Sequence, residues 1–257
     1  MKYFLILSAA FVFLFSSCTK ERNEPDKTPD KLKIGELTTS QNLKATLWSD
    51  EQIATGYHKL YLSLQEASGQ NVTNAALSIT PVMHMASMSH SSPSEQPVFQ
   101  AASGMYEFAV VFTMPSGTDS WVINTTINGE EKTFNVQVPA SSTKLTGTYT
   151  GTDAKRYVVS IVPPVKWQVG LNDVDILINQ MDGMMNFPAV DGLTIVMTPE
   201  MPSMGHGSPN NVDPVSVGKG HYKGKVNYTM TGDWRLHFKI SKSESVIIED
   251  ATIDILF

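Results

Sequence analysis

Six residues of this chain repeat one spacing: Met85, Met88 and His90, then Met201, Met204 and His206, at an offset of 116 residues. Two thioethers and an imidazole make a donor set of soft sulfur and borderline nitrogen. Such a set favours copper, Cu(I) above all, over the hard cations that seek oxygen. Cu(II) would call for more nitrogen and oxygen than the second motif supplies. Pro202, Gly205, Gly207 and Pro209 exclude a helix there, so the second motif belongs on a loop or a broken strand edge. On extended backbone Met204 and His206 point the same way, and a turn has to bring Met201 round to them. Met230 closes a predicted strand that His221 opens, and about nine residues, roughly 27 to 30 Å of strand, keep the two from sharing one ion. Met230 is preferred, because Met114 repeats it whereas Met105 stands opposite His221. The candidate ligands are therefore Met201, Met204, His206 and Met230 in one copy, and Met85, Met88, His90 and Met114 in the other.

A second reading of the same residues stays open. Methionine fills irregular gaps well, so a Met-rich loop folded over the end of a domain would bury its sulfur as a core lid, with His206 a turn residue. Recurrence does not separate the two readings, since duplicated domains share core plugs as readily as sites. Met181, Met184 and Met185 lie in Gln-Met-Asp-Gly-Met-Met-Asn, have no counterpart sulfur in the first copy, and read as incidental loop residues. His84 aligns with Glu200 and reads as exposed. His58 and His237 read as ordinary strand residues.

The elements that must position these donors begin after a leader. Met1-Lys2, an uncharged run from Tyr3 to Phe15, and Ser16-Ser17 ahead of the lone cysteine Cys18 follow the order of a secretory signal. Small residues before Cys18 resemble a bacterial lipobox, in which that cysteine is acylated and becomes the mature N-terminus. This makes 1–17 a lipoprotein signal peptide and 18–36, charged and Pro-containing, a flexible tether. Acylation anchors a chain to a membrane without spanning it, and no later stretch offers about twenty consecutive apolar residues. The expected location is the bacterial cell envelope, facing periplasm or cell surface. A formal net charge of -6 argues against nucleic acid as a partner. Asn71, Asn124 and Asn227 sit in Asn-X-Thr sequences, which are acceptors only in a glycosylating system.

The duplication extends well beyond the motif. At the same offset Leu77 and Ile79 match Leu193 and Ile195, Ser92-Pro93 match Ser208-Pro209, and Tyr106, Val110 and Thr113 match Tyr222, Val226 and Thr229. A three-residue insertion in the first copy then brings Trp121 opposite Trp234. The chain is a tandem pair of domains, 37–140 and 144–257. Alternating and β-branched runs predict strands at 44–47, 57–64, 76–80, 106–113, 120–127 and 132–138 in the first copy. They recur at 157–162, 173–179, 193–198, 222–229, 233–240 and 245–256 in the second. No segment shows a helical period. The expected fold is all-β: two tandem immunoglobulin-like β-sandwiches, with Trp121 and Trp234 as core anchors.

In the second copy, Trp167-Gln-Val-Gly170-Leu-Asn172, Met201-Pro-Ser-Met204-Gly-His206, Gly220-His-Tyr222 and Met230-Thr-Gly232-Asp-Trp234 follow one another in an order that resembles the YtkA-like and FixH-like family of extracytoplasmic bacterial domains. The first copy is similar to it more weakly: Ala86 stands for Pro202, His84 for Glu200 and Ser89 for Gly205. The resemblance implies a small exported β-sandwich, often encoded beside copper transport or respiratory oxidases.

Enzyme signatures are absent: the sequence has no nucleophile elbow, zinc-binding His-Glu-x-x-His or phosphate-cradling glycine loop. The expected function is an extracytoplasmic lipoprotein that binds copper and passes it on, its partner a membrane copper transporter or respiratory oxidase. The alternative is a non-metal interaction module that docks onto such a complex. A surface adhesin is disfavoured, because no aromatic platform stands outside the expected core.

Overall fold

A computed structural model describes residues 31–162 and 166–257. The signal peptide at 1–17, Cys18 and most of the expected tether lie outside the described residues. Among the described residues all regular structure is strand. The first copy holds β1 Leu32–Thr38, β2 Lys44–Ser49, β3 Gly56–Gln65, β4 Leu77–His84, β5 Ser89–Ser91, β6 Ser94–Gln100, β7 Met105–Phe112, β8 Ser120–Ile127 and β9 Glu130–Val136. The second holds β10 Thr146–Thr150, β11 Arg156–Val162, β12 Gly170–Met181, β13 Leu193–Met201, β14 His206–Gly207, β15 Val212–Gly218, β16 His221–Tyr228, β17 Asp233–Lys242 and β18 Ser245–Leu256.

Strand order repeats as the sequence does. One sheet of the first copy runs β1-β2-β3-β7-β6 and faces β5-β4-β8-β9; the second copy runs β10-β11-β12-β16-β15 and faces β14-β13-β17-β18. Every pairing is antiparallel. Two facing antiparallel sheets with this order are an immunoglobulin-like sandwich. The reason lies in the alternation. Val174, Ile176 and Ile178 on β12, and Trp234, Leu236, Phe238 and Ile240 on β17, point inward at every second position, as the period of a strand demands. Each copy closes its own apolar cluster, one around Trp121 and one around Trp234, both almost fully buried.

The expected strands all form, and outer ones join them. β1 begins at Leu32, inside the stretch expected to be tether, because Leu32 to Thr38 pair with β2 along its full length. β6 and β15 escape a periodicity reading because each carries a bulge next to a proline, Pro97 and Pro214, which breaks the alternation. The β15 bulge crowds its neighbour strand: a Cβ on Gly224 would stand 2.4 Å from the Val212 carbonyl oxygen, so only glycine fits there.

The two sandwiches meet through a third apolar cluster. Tyr57, Ala109 and Val111 of the first copy pack against Val158 and Leu177 of the second, with Val162 and Phe187 alongside. Two polar contacts flank it. His221 on β16 places Nε2 3.1 Å from Glu95 Oε1 on β6. At the other, Ser91 on β5 donates its N–H to the Met184 carbonyl at 2.8 Å.

Candidate metal centre

Both motif histidines are built the same way. In each copy the β4–β5 or β13–β14 hairpin brings the imidazole edge-on to the core tryptophan: His90 on Trp121 with centroids 5.5 Å apart, His206 on Trp234 at 5.9 Å. The indole N–H beneath donates to a methionine carbonyl, Trp121 to Met114 at 2.9 Å and Trp234 to Met230 at 3.0 Å. Each histidine holds its Nδ1 against a main-chain carbonyl, His90 on Ser91 at 2.8 Å and His206 on Gly207 at 2.9 Å. A carbonyl only accepts, so Nδ1 carries the proton and the lone pair of the neutral ring sits on Nε2. That is the usual preparation of a histidine ligand.

The copies differ in what meets Nε2. In the first, His90 Nε2 lies 3.2 Å from Met114 Sδ. Sulfur is a weak hydrogen-bond acceptor, and two lone pairs at that separation gain little from each other without an electropositive centre between them. The other motif sulfurs are spread out. Met88 is 49% exposed, Met204 60% and Met230 38%, whereas Met201 is buried at 2% and packs in the second core. Met85 packs partly buried against the first core.

Hairpin register explains the split fate of Met85 and Met201. His206 pairs across from Met201, but His90 pairs across from Met83 and Ser89 from His84, so both loops hold four residues while the first is shifted along the motif and takes in Met85. Met85 N–H donates to the Met88 carbonyl at 2.9 Å to close that loop. In the second copy Met204 and Gly205 donate to the Met201 carbonyl at 3.1 and 2.9 Å, and Gly205 takes φ 62° to complete the turn.

The other histidines serve structure. His237 bridges Asp250 at 2.9 Å and Glu200 at 3.0 Å on the sheet face. His58 accepts the Ala54 N–H on Nε2 at 3.1 Å, and burial lowers its pKa. His84 lies exposed against Ser89 Oγ at 3.0 Å. Among the described residues no three His, Cys, Asp or Glu side chains gather as metal ligands. A metal site here has to recruit methionine sulfur.

Met181 and Met184, which read from the sequence as incidental loop residues, have a defined place in the fold. They line a recess of about 270 Å³ at the domain junction together with His90 and Met114. Their loop continues β12 past Met181, with Asp182 N–H donating to the Asn186 carbonyl at 2.9 Å and Gly183 at φ 78°, and it lands on β5 of the other copy. The signal present in the sequence was three sulfurs in one short loop of the second copy; which surface that loop reaches depends on the domain junction, which periodicity does not encode. Met185, 51% exposed, lines a separate hollow on the first copy.

Fold and site together define a tandem immunoglobulin-like β-sandwich protein with a His–Trp–Met arrangement at the β4–β5 and β13–β14 hairpins. Residues 151–239 match the family model described as YtkA-like, and the second sandwich is a YtkA-like domain. No curated protein matches the chain. Among solved structures it is similar to FdeC, an Escherichia coli adhesin, at 13% identity and TM-score 0.27, covering 86% of this chain and 66% of that one. The chain thus spans just under two thirds of the adhesin's length. It is also similar to a chimeric titin Z1Z2–Z1Z2 tandem functionalised with a GRGDS peptide from fibronectin, at 10% identity and TM-score 0.19, covering 87% of this chain and 96% of that one.

Proposed function

We propose that this protein is an extracytoplasmic lipoprotein, anchored through Cys18, that binds copper as Cu(I) and hands it to a membrane transporter or oxidase. It is a binding protein in this reading and not an enzyme. The observation that carries the proposal is His90 Nε2 at 3.2 Å from Met114 Sδ, with Nδ1 already committed to the Ser91 carbonyl. An imidazole nitrogen and a thioether suit Cu(I), and a histidine held by its other nitrogen loses little freedom on coordination. The exposed sulfurs of Met88 and Met204 suit transfer, since a ligand in solvent is free to reach a partner.

Anaerobic titration of the full chain in detergent with Cu(I), against bicinchoninate, tests this. At least one equivalent should be withheld from the chelator, and replacing His90 and Met114 together by alanine should weaken that binding at least tenfold, about 1.4 kcal/mol. A chain that never competes with the chelator overturns the copper reading.

One observation favours the interaction module instead. β15 is an edge strand with Val212, Val215 and Val217 exposed at 51%, 65% and 56%. An apolar edge of this kind is a surface on which a partner can pair.

A further inference from the structure

We infer that the copper site is a single centre shared across the domain junction, in which Met181 and Met184 of the second sandwich complete a ligand set begun by His90 and Met114 of the first. The inference rests on the copper reading and goes beyond it: four donors on two domains form the site, and the repeated motif supplies only its start. His90 and Met114 already touch, and both line the recess into which the 181–186 loop brings Met181 and Met184. One nitrogen and three thioethers form an uncharged set of the size and softness Cu(I) accepts.

The loop is held where it must be. The Met184 carbonyl accepts the N–H of Ser91, the residue after His90, at 2.8 Å. One backbone bond therefore sets loop and ligand strand in register. Asn179 donates from Nδ2 to the Phe187 carbonyl at 3.0 Å and fixes the return of the loop, while Phe187 itself lines the recess beside Val158. Apolar walls of this kind lower the local dielectric and favour an ion of low charge.

Thr148 and Arg156 complete the wall. Arg156 is exposed and, among the described residues, is the only charged side chain lining the recess. With no carboxylate to offset it, its guanidinium opposes a divalent ion about twice as strongly as a monovalent one, which again selects Cu(I) over Cu(II). The second motif has no such complement: Met201 is buried in the core, Met204 is largely exposed and Met230 partly so. The duplication thus yields one assembled site from two copies.

The test uses the full chain in detergent, titrated anaerobically with Cu(I) against bicinchoninate and examined by X-ray absorption at the copper edge. The variant is Met181→Leu with Met184→Leu, which keeps the apolar bulk of the junction and removes only sulfur. The wild type should bind one tight equivalent with three sulfurs and one nitrogen. The leucine variant should lose at least tenfold in affinity and two sulfurs per copper, with its melting temperature unchanged in the absence of metal. If copper binds the leucine variant as tightly and with the same sulfur count, the shared site is wrong while the copper reading stands. If neither protein competes for Cu(I), both readings fail together.

Discussion

Met201 and Met204 stand in one motif, three residues apart, and meet opposite surroundings. Met201 is 2% exposed and presses on Gly232, where a Cβ would come within 2.9 Å of its methyl carbon, so it plugs the end of the second core. Met204 stands 60% exposed at the tip of the turn. The lid reading of the motif therefore fits Met201 and not its neighbour Met204. Met201→Ala should destabilise the protein by about 2–5 kcal/mol, the usual cost of truncating a buried methionine. Met204→Ser should stay within about 0.5 kcal/mol of the wild type, as exposed substitutions do. Urea denaturation of both variants checks this; equal midpoints would deny Met201 its structural role.

At the scale of elements, β6 and β16 are joined by a charged bridge whose chemistry fixes its pH range. His221 donates toward Asp175 at 2.9 Å on β12 and toward Glu95 at 3.1 Å, while Tyr57 donates its hydroxyl to the other Glu95 oxygen at 2.7 Å. The hydrogen bonds to Asp175, then to Glu95, push the His221 pKa up to about 9, and the bond from His221 holds Glu95 below its ordinary value. Because the folded histidine value lies above the unfolded one, near 6.5, its stabilisation is complete below about pH 6.5 and is lost as pH rises through about 9. Glu95 works the other way and loses its share on acidification through its lowered value. Thermal stability should peak between about pH 5 and 6.5 and fall by on the order of 1–2 kcal/mol toward pH 10, once solvent screening of this partly buried bridge is allowed for. His221→Gln should flatten the alkaline fall, and a melting-temperature series against pH that keeps the same slope would deny the bridge that role. The sequence alone does not show this bridge, because the partners of His221 are 46 and 126 residues away. The strands were legible for the opposite reason. Runs such as Tyr106 to Thr113 and Asp233 to Ile240 alternate because one face of each is buried, and burial is written locally. The edge strands β6 and β15 were not legible, since Pro97 and Pro214 sit at bulges that interrupt the period.

The whole molecule turns on one interface of modest size. Tyr57, Ala109, Val111, Val158 and Leu177 are buried between the sandwiches, and the recess holding His90, Met114, Met181 and Met184 exists only while that contact is closed. Duplication in the sequence is mirrored in the strand order and separate core of each sandwich, so the repeat was legible from matched residues alone. What the pair makes together depends on surfaces that each copy carries differently: sulfur in the 181–186 loop on one side, a His–Met contact on the other. Ala109→Glu isolates this level. Ala109 is 2% exposed in the junction, and an unpaired carboxylate there costs about 3–5 kcal/mol of contact while leaving both cores untouched. The variant should unfold in two separate transitions where the wild type shows one, and its radius of gyration by solution scattering should rise. Its Cu(I) affinity should drop as far as that of the paired leucine variant, although none of the four sulfur and nitrogen donors has been altered. Two open sandwiches that still bound Cu(I) at wild-type strength would mean that one copy holds the metal alone, and the junction would then be a means of joining domains and nothing more.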